Sequence, residues 1–215
     1  MKIKYKFTDK NIRTHNGYQW TLGEWKEVSG KGELCSDGWL HCYCDPLLAV
    51  LLNPIHGNYE NPRLWEVEVG GAEKHDGQLK SGYTKVRLLK EIKLPVITTE
   101  QRVRFGVLCA KEVCLNEAWN LWAVKWLDGT DRTIVTACAA EAAADAAASA
   151  GYVAMLVAAT AAAYHAAYVA KAAVYAAYAA RSSPASAAYA AGLAAAEAAT
   201  NKKLDLIAIA RMAIN

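Results

Sequence analysis

Four residues able to ligate a metal or attack an electrophile fall close together: Cys35, His41, Cys42 and Cys44, with Asp37 and Asp45 nearby. Cysteine and histidine are the usual ligands of structural zinc, but paired cysteines in such sites stand about two to four residues apart. Cys42 and Cys44 have one residue between them. In an extended segment these two cysteines share a face and His41 points to the other. The spacing favours reduced cysteines in a small core over a metal site, and no cofactor is expected. A thiol nucleophile is the other chemistry in reach, since Cys44 stands just before a helix start and beside His41. It lacks a visible third group to orient the histidine.

Around this cluster the sequence is rich in rings. Tyr18, Trp20, Trp25, Trp39 and Tyr43, together with His41, are the candidate ligand-binding residues. Aromatic side chains in a concave site suit nucleobases and similar flat molecules, and they serve equally as ordinary core. His15, His56, His75 and His165 stand alone. Glu141 and Asp145 lie near a helix start, where the helix dipole accounts for them. No phosphate loop, dinucleotide fingerprint or metalloprotease motif occurs, and no catalytic set is assigned.

The elements that must position these residues follow from periodicity. Residues 2–7 alternate as a strand, and Asn16-Gly17 is a turn signal before Tyr18-Gln19-Trp20. Residues 23–28 alternate again, and 33–35 form a short extended piece. Asp45-Pro46 starts a short helix over 46–52. Residues 64–69 are the clearest strand, with Leu64, Glu66 and Glu68 on one face and Trp65, Val67 and Val69 on the other. Gly70-Gly71 should stop it, 85–94 should be its neighbour, and Pro95 should close the domain.

Helices begin at Thr98, which forms a capping box with Gln101. Asn116 caps a second helix carrying Trp119, Trp122 and Trp126 on one face. Beyond Thr130 the chain is dominated by alanine. Tyr164, Tyr168, Tyr175 and Tyr178 make one helical stripe, expected to anchor the packing. Ser183-Pro184 starts another helix, and Asn201-Lys202-Lys203 precedes a last one over 204–214. Whether the alanine region is one rod or folds back depends on the break candidates Ser149-Ala150-Gly151 and Ser182-Ser183-Pro184. The expected fold is α+β: a small antiparallel β-rich domain over 1–97, then a helical region over 98–215. Residues 98–130 of that region bear the tryptophans and 131–215 the alanine. Alanine is the best helix former but brings little apolar volume, so these helices are expected to pack on one another as a bundle within the chain, or to self-associate into a homo-oligomer.

Charge narrows the partners. The formal net charge is +3, from 24 Lys and Arg against 21 Asp and Glu. That spread argues against nucleic acid, which needs clustered basic residues. Lys2, Lys4 and Lys6, like Lys85, Arg87 and Lys90, alternate as the wet face of a sheet. Residues 146–170 lack Lys, Arg, Asp and Glu but are too rich in alanine to favour a membrane span. The N-terminus shows no secretory signal, so reduced cysteines and a cytoplasmic location are expected.

Gly23-Glu24-Trp25, Glu33-Leu34-Cys35, Gly38-Trp39-Leu40-His41-Cys42 and Leu64-Trp65-Glu66-Val67-Glu68-Val69-Gly70 together resemble an uncharacterised family of small bacteriophage and actinobacterial proteins. Its members read G-x-W, E-x-C, G-x-H-x-C and L-W-E-V-E-x-x-G, and the likeness covers roughly residues 1–95. This chain departs from the pattern in placing His41 and Cys42 side by side. The resemblance implies a phage accessory protein of the host cytoplasm, without a transferable activity. A fainter likeness is to the ADP-ribosyltransferase fold, with no matching late glutamate. Three functions follow as expectations. The first is capture of a nucleotide-like small molecule or a host defence protein. The others are assembly through alanine-rich helices, and an enzyme acting on a nucleotide cofactor.

Overall fold

The computed structural model describes residues 2–158 and 162–215. The chain divides into two compact units, Met1–Val96 and Ile97–Asn215. The arrangement is α+β, an antiparallel sheet in the first unit and helices in the second.

In the first unit β1 (Lys2–Thr8), β2 (Trp25–Glu27), β3 (Leu40–Cys42), β4 (Arg63–Asp76) and β5 (Lys80–Ile92) form one sheet, with α1 (Pro46–Leu52) between β3 and β4. The central hairpin β4–β5 pairs with β1 along one side. On its other side β5 takes β3 at Ser81–Tyr83 and β2 at Lys85–Arg87. Tyr43, just past β3, then exchanges backbone hydrogen bonds with Tyr5 of β1, 3.0 and 2.7 Å. The pairings β1–β4–β5–β3–β1 therefore close on themselves. Trp20, Leu40, Cys42, Trp65, Val67, Val69, Tyr83, Val86 and Leu88 fill the space so enclosed.

Three sequence expectations change here. The hairpin runs straight through Gly70-Gly71, which mark a register shift between Gly70 and Glu73 rather than a stop. A residue at 71 must take a φ of +74°, so glycine belongs there for the bulge itself. Residues 33–35 form a turn, closed by Ser36 N–H on the Glu33 carbonyl at 3.0 Å. Lys2, Lys4 and Lys6 stand opposite Val69, Val67 and Trp65; Lys2 is exposed as expected and Lys4 is half-buried, but Lys6 turns into the core and is only 6 % exposed. Residues opposite one another across an antiparallel pair share a face, so alternation showed the period but not which face is wet.

The second unit contains α2 (Thr99–Lys111), α3 (Glu117–Asp128), α4 (Ile134–Ala158), α5 (Ala162–Ala179), α6 (Pro184–Asn201) and α7 (Leu206–Ile214). Thr98 and Gln101 form the expected capping box, and Gly129 ends α3 with a φ of 82°. Helix α4 passes unbroken through Ser149, Ala150 and Gly151, whereas Ser183 caps α6 at the second break candidate. The helices fold back into a bundle: α5 packs on α4 and α6, and α2 packs on α5, α6 and α7. Lys171 of α5 pairs with Asp145 of α4 at 2.8 Å, and Lys202 with Glu112 at 2.9 Å.

Volume in this bundle comes from Trp119, Trp122, Trp126 and Phe105, while Ala170, Ala173, Ala187, Ala191 and Ala194 line close helix contacts. The Trp119 indole N–H donates to the Ala170 carbonyl at 3.0 Å, fixing α3 against α5. Tyr168, Tyr175 and Tyr178 do not anchor the core; they stand half-exposed on the outside of α5. Tyr164 belongs to that stripe by spacing, and its side chain lies outside the described residues. No helix among the described residues is long and apolar enough to cross a membrane.

A close helix contact lies at Gly106 of α2, where an added Cβ would come within 2.9 Å of the Ala191 Cα and 3.2 Å of its Cβ. Glycine to alanine in a helix interior ordinarily stabilises by nearly about 1 kcal/mol. Here overpacking against backbone should outweigh that gain, costing about 1–3 kcal/mol. Urea unfolding of Gly106→Ala is expected to show a lower midpoint than the parent chain, and a higher one would refute the close-packing argument.

Candidate functional site

A cleft of about 660 Å³ opens beside the closed ring of strands, entirely within the first unit. The end of β1 supplies Lys6 and Phe7, and β3 supplies His41 and Cys42 with Tyr43 following. The loop before β2 brings Thr14, His15, Asn16, Tyr18 and Trp20. The chain after α1 brings His56 and Tyr59, and Lys80 enters at the start of β5.

Local chemistry explains why these segments hold their shape. Asn16 and Gly17 take φ values of 57° and 71°, reversing the chain so that Gln19 bridges back to Arg13. That reversal drives Trp20 inward, to 2 % exposure, where its indole N–H donates to Thr14 Oγ1 at 2.9 Å. Tyr18 meets Trp20 edge-on, 5.6 Å between centroids. Asp45 caps α1 by accepting from Leu47 N–H at 2.7 Å, which sets the helix whose exit carries His56. The His56 ring stacks on Tyr43 at 5.7 Å, with Nδ1 and the phenol oxygen hydrogen-bonded at 3.0 Å. Asn53 clamps the following turn through Tyr59 N–H, 3.2 Å. Trp39 donates from Nε1 to the Gly32 carbonyl at 3.2 Å.

Five of the six residues singled out from sequence, Tyr18, Trp20, Trp39, His41 and Tyr43, line this one cleft. Trp25 does not: it lies on β2, its ring covered by Lys85 and Arg87 at 5.0 and 4.8 Å. Sequence reasoning missed Lys6, His56, Tyr59 and Lys80. His56 and Tyr59 follow the short helix in a Gly- and Asn-rich turn whose path no local pattern reveals. Lys6 was hidden by the ordinary look of an alternating basic strand.

Burial dominates the electrostatics. It lowers the pKa of His41 and brings that of His56 down to about 4, with the charge of Lys80 adding to the effect on both. It pushes the Cys42 thiol up to about 11 and the Tyr43 phenol higher still, and raises Tyr59. His41 Nε2 is hydrogen-bonded to the Leu34 carbonyl. Because a carbonyl only accepts, Nε2 carries the proton and neutral His41 keeps Nδ1 as an acceptor. Lys6 is held by donation to the His41 carbonyl at 2.8 Å and by the Trp20 ring face at 4.7 Å, and burial lowers its pKa.

The cysteine cluster does not come together. Cys42 is fully buried, Cys44 donates to the Gln78 carbonyl at 3.7 Å, and exposed Cys35 receives Lys80 Nζ at 2.9 Å. A thiol as basic as Cys42 is a poor nucleophile at neutral pH. Among the described residues no three His, Cys, Asp or Glu side chains converge as a metal-ligating group. Glu66 pairs with Lys90 at 3.2 Å and is not part of the cleft lining that contains His41.

Residues 2–100 match a family model described as Domain of unknown function (DUF7666). A domain of that uncharacterised type thus spans the sheet, the whole cleft and the cap of α2. No curated protein and no solved structure matches the chain.

Neutral His56 makes a testable contribution to stability. The unfolded imidazole takes up a proton near its ordinary value of about 6.5, whereas the folded one resists until about 4. The stability is therefore complete above about pH 6.5 and is lost as the pH falls towards 4, by no more than about 3 kcal/mol. His41 acts with the same sign. Denaturant melts from pH 7.5 to 4 should fall across that window, and His56→Gln should flatten the slope; an unchanged slope in the variant would refute the assignment.

Proposed function

We propose that this chain is an accessory binding protein of the bacteriophage type its motifs resemble, capturing a flat, nucleotide-like small molecule in the aromatic cleft. The observation that carries the reading is the meeting of Tyr18, Trp20, Trp39, Tyr43, His56 and Tyr59 around a single volume of about 660 Å³. That size falls in the range of small-molecule sites, which are mainly apolar with few, placed polar groups. A concave wall of rings rewards a planar ligand by stacking, and hydrogen bonds already made within the wall hold it open without ligand. A small ligand fits this shape better than a host defence protein, because a protein partner is recognised over a broad patch rather than a deep pocket. Sequestration of a nucleotide signal in host cytoplasm, blunting a defence system, is the role the phage likeness suggests.

The enzyme reading has no comparable support. Asp37 is the one carboxylate among the cleft lining residues, and no glutamate lines it.

Assembly is supported by a separate observation, the half-exposed Tyr168, Tyr175 and Tyr178 on one stripe of α5. A second copy of α5 running antiparallel would cover ring with ring, giving the homo-oligomer that alanine-rich helices favour. Sedimentation at micromolar concentration is expected to show a dimer or larger particle that Tyr175→Glu dissociates; a monomeric parent chain would end this reading.

Binding is tested by thermal shift and tryptophan fluorescence against nucleosides and nucleotides. At least one should raise the melting temperature and quench Trp20 or Trp39. Tyr18→Ala, which removes an exposed ring at the cleft rim, should weaken that ligand about tenfold with little change in stability. Silence across the whole collection would sink the reading.

A further inference from the structure

Lys6 is the one lysine of this unit that is almost fully buried, and it lies in the lining of the cleft. Burying an ammonium is costly unless an opposite charge accompanies it. Among the described residues no carboxylate forms an ion pair with Lys6; its partners are the His41 carbonyl at 2.8 Å and the face of Trp20 at 4.7 Å. An ammonium offers three protons, so this leaves it capacity to donate further. Its neighbour Cys42 is held as a neutral thiol by burial and supplies no counter-charge.

The rest of the cleft does not neutralise it either. Lys80, His15, His41 and His56 share the lining with Asp37 as the lone acid. A fold under no functional constraint would place methionine or leucine opposite Trp65 and Trp20 and avoid the desolvation of an amine. Uncompensated charge of this kind in a cleft marks a ligand-binding group.

We infer that Lys6 is the specificity-determining residue of the cleft, and that the captured molecule carries an anionic oxygen head group, phosphate or carboxylate, seated on the Lys6 ammonium. This rests on the capture reading and narrows it. The ring of the ligand lies against the aromatic wall, its head group meets Lys6 where Trp20 and β3 converge, and Lys80 adds a second positive charge. At an ammonium as buried as that of Lys6 the ion pair is strong, and charge selects the ligand as well as shape does.

The test compares matched pairs on the full-length chain by calorimetry: nucleosides with their 5′-monophosphates, and benzamide with benzoate. The anionic member is expected to bind at least tenfold more tightly in one pair, and that pair identifies the head group as phosphate or carboxylate. Equal binding of neutral and anionic members overturns the inference and leaves capture standing. No binding by any of the probes removes both.

Lys6→Met adds a readout that a purely structural lysine would not give. It should abolish the preference for the anion while raising the melting temperature of the ligand-free protein, and Lys6→Arg should retain the preference. A lower melting temperature with selectivity unchanged would make Lys6 a structural residue and refute the proposal. Should Lys6→Met fail to fold, the matched pairs on the parent chain and Lys80→Met, expected to reduce the preference several-fold, still decide it.

Discussion

Closure of the small sheet is the constraint from which the site follows. Two backbone hydrogen bonds between Tyr5 and Tyr43 join the first strand to the end of the third, and they do three things together. They turn an open hairpin sheet into a ring of pairings with little exposed edge. They force the side of β1 that carries Lys6 to face inward, opposite Trp65. They also fix Tyr43, and through it His56, in the wall of the cleft that Trp20 shares. If this joint opened, Lys6 would regain water, the stacked Tyr43–His56 pair would lose its backing, and the cleft would have no floor.

This constraint also explains which features sequence could reveal. The capping signals at Asp45, Thr98, Asn116 and Ser183 are local chemistry and read correctly, because a cap depends on residues three or fewer positions away. The change from sheet to helices is likewise local, written in the passage from alternating residues to the capping box at Thr98 and Gln101. The hairpin beyond Gly70 was not legible, since a bulge and a stop use the same glycines and only pairing across to Thr84 and Lys85 distinguishes them. The burial of Lys6 was less legible still. It depends on strands some sixty residues away in sequence, Trp65 of β4 among them. Aromatic type was enough to nominate Tyr18, Trp20, Trp39 and Tyr43, but it equally nominated Trp25, which the β2–β5 pairing turns towards Lys85 and Arg87 instead.

The helical unit solves a different problem, the making of a core from residues with almost no side chain. Each buried alanine contributes little area, so stability must come from close approach and from many contacts at short range. Gly106 against Ala191 is one instance of that strategy. The remaining volume is concentrated in Trp119, Trp122 and Trp126 on one face of α3, and a single indole hydrogen bond to Ala170 sets their depth. The tyrosines, by contrast, are spent on the surface. A helix that buries alanine and displays tyrosine has its large apolar rings where a partner, rather than its own core, can cover them.

The pattern of pKa shifts in the cleft bears on what kind of protein this is. An acid–base enzyme working near neutrality moves a donor and an acceptor towards the operating pH. Here burial moves His41 and His56 down and Tyr43, Tyr59 and Cys42 up, so each of these five becomes more firmly neutral. On the capture reading, groups held neutral in this way offer fixed hydrogen-bonding surface to a ligand. Lys6 is the exception, since burial moves it towards neutrality and leaves its charged form in need of an anion. On the proposed capture reading, a wall of neutral polar and aromatic groups around buried Lys6, with Lys80 in the same lining, is suited to hold a flat anion in place.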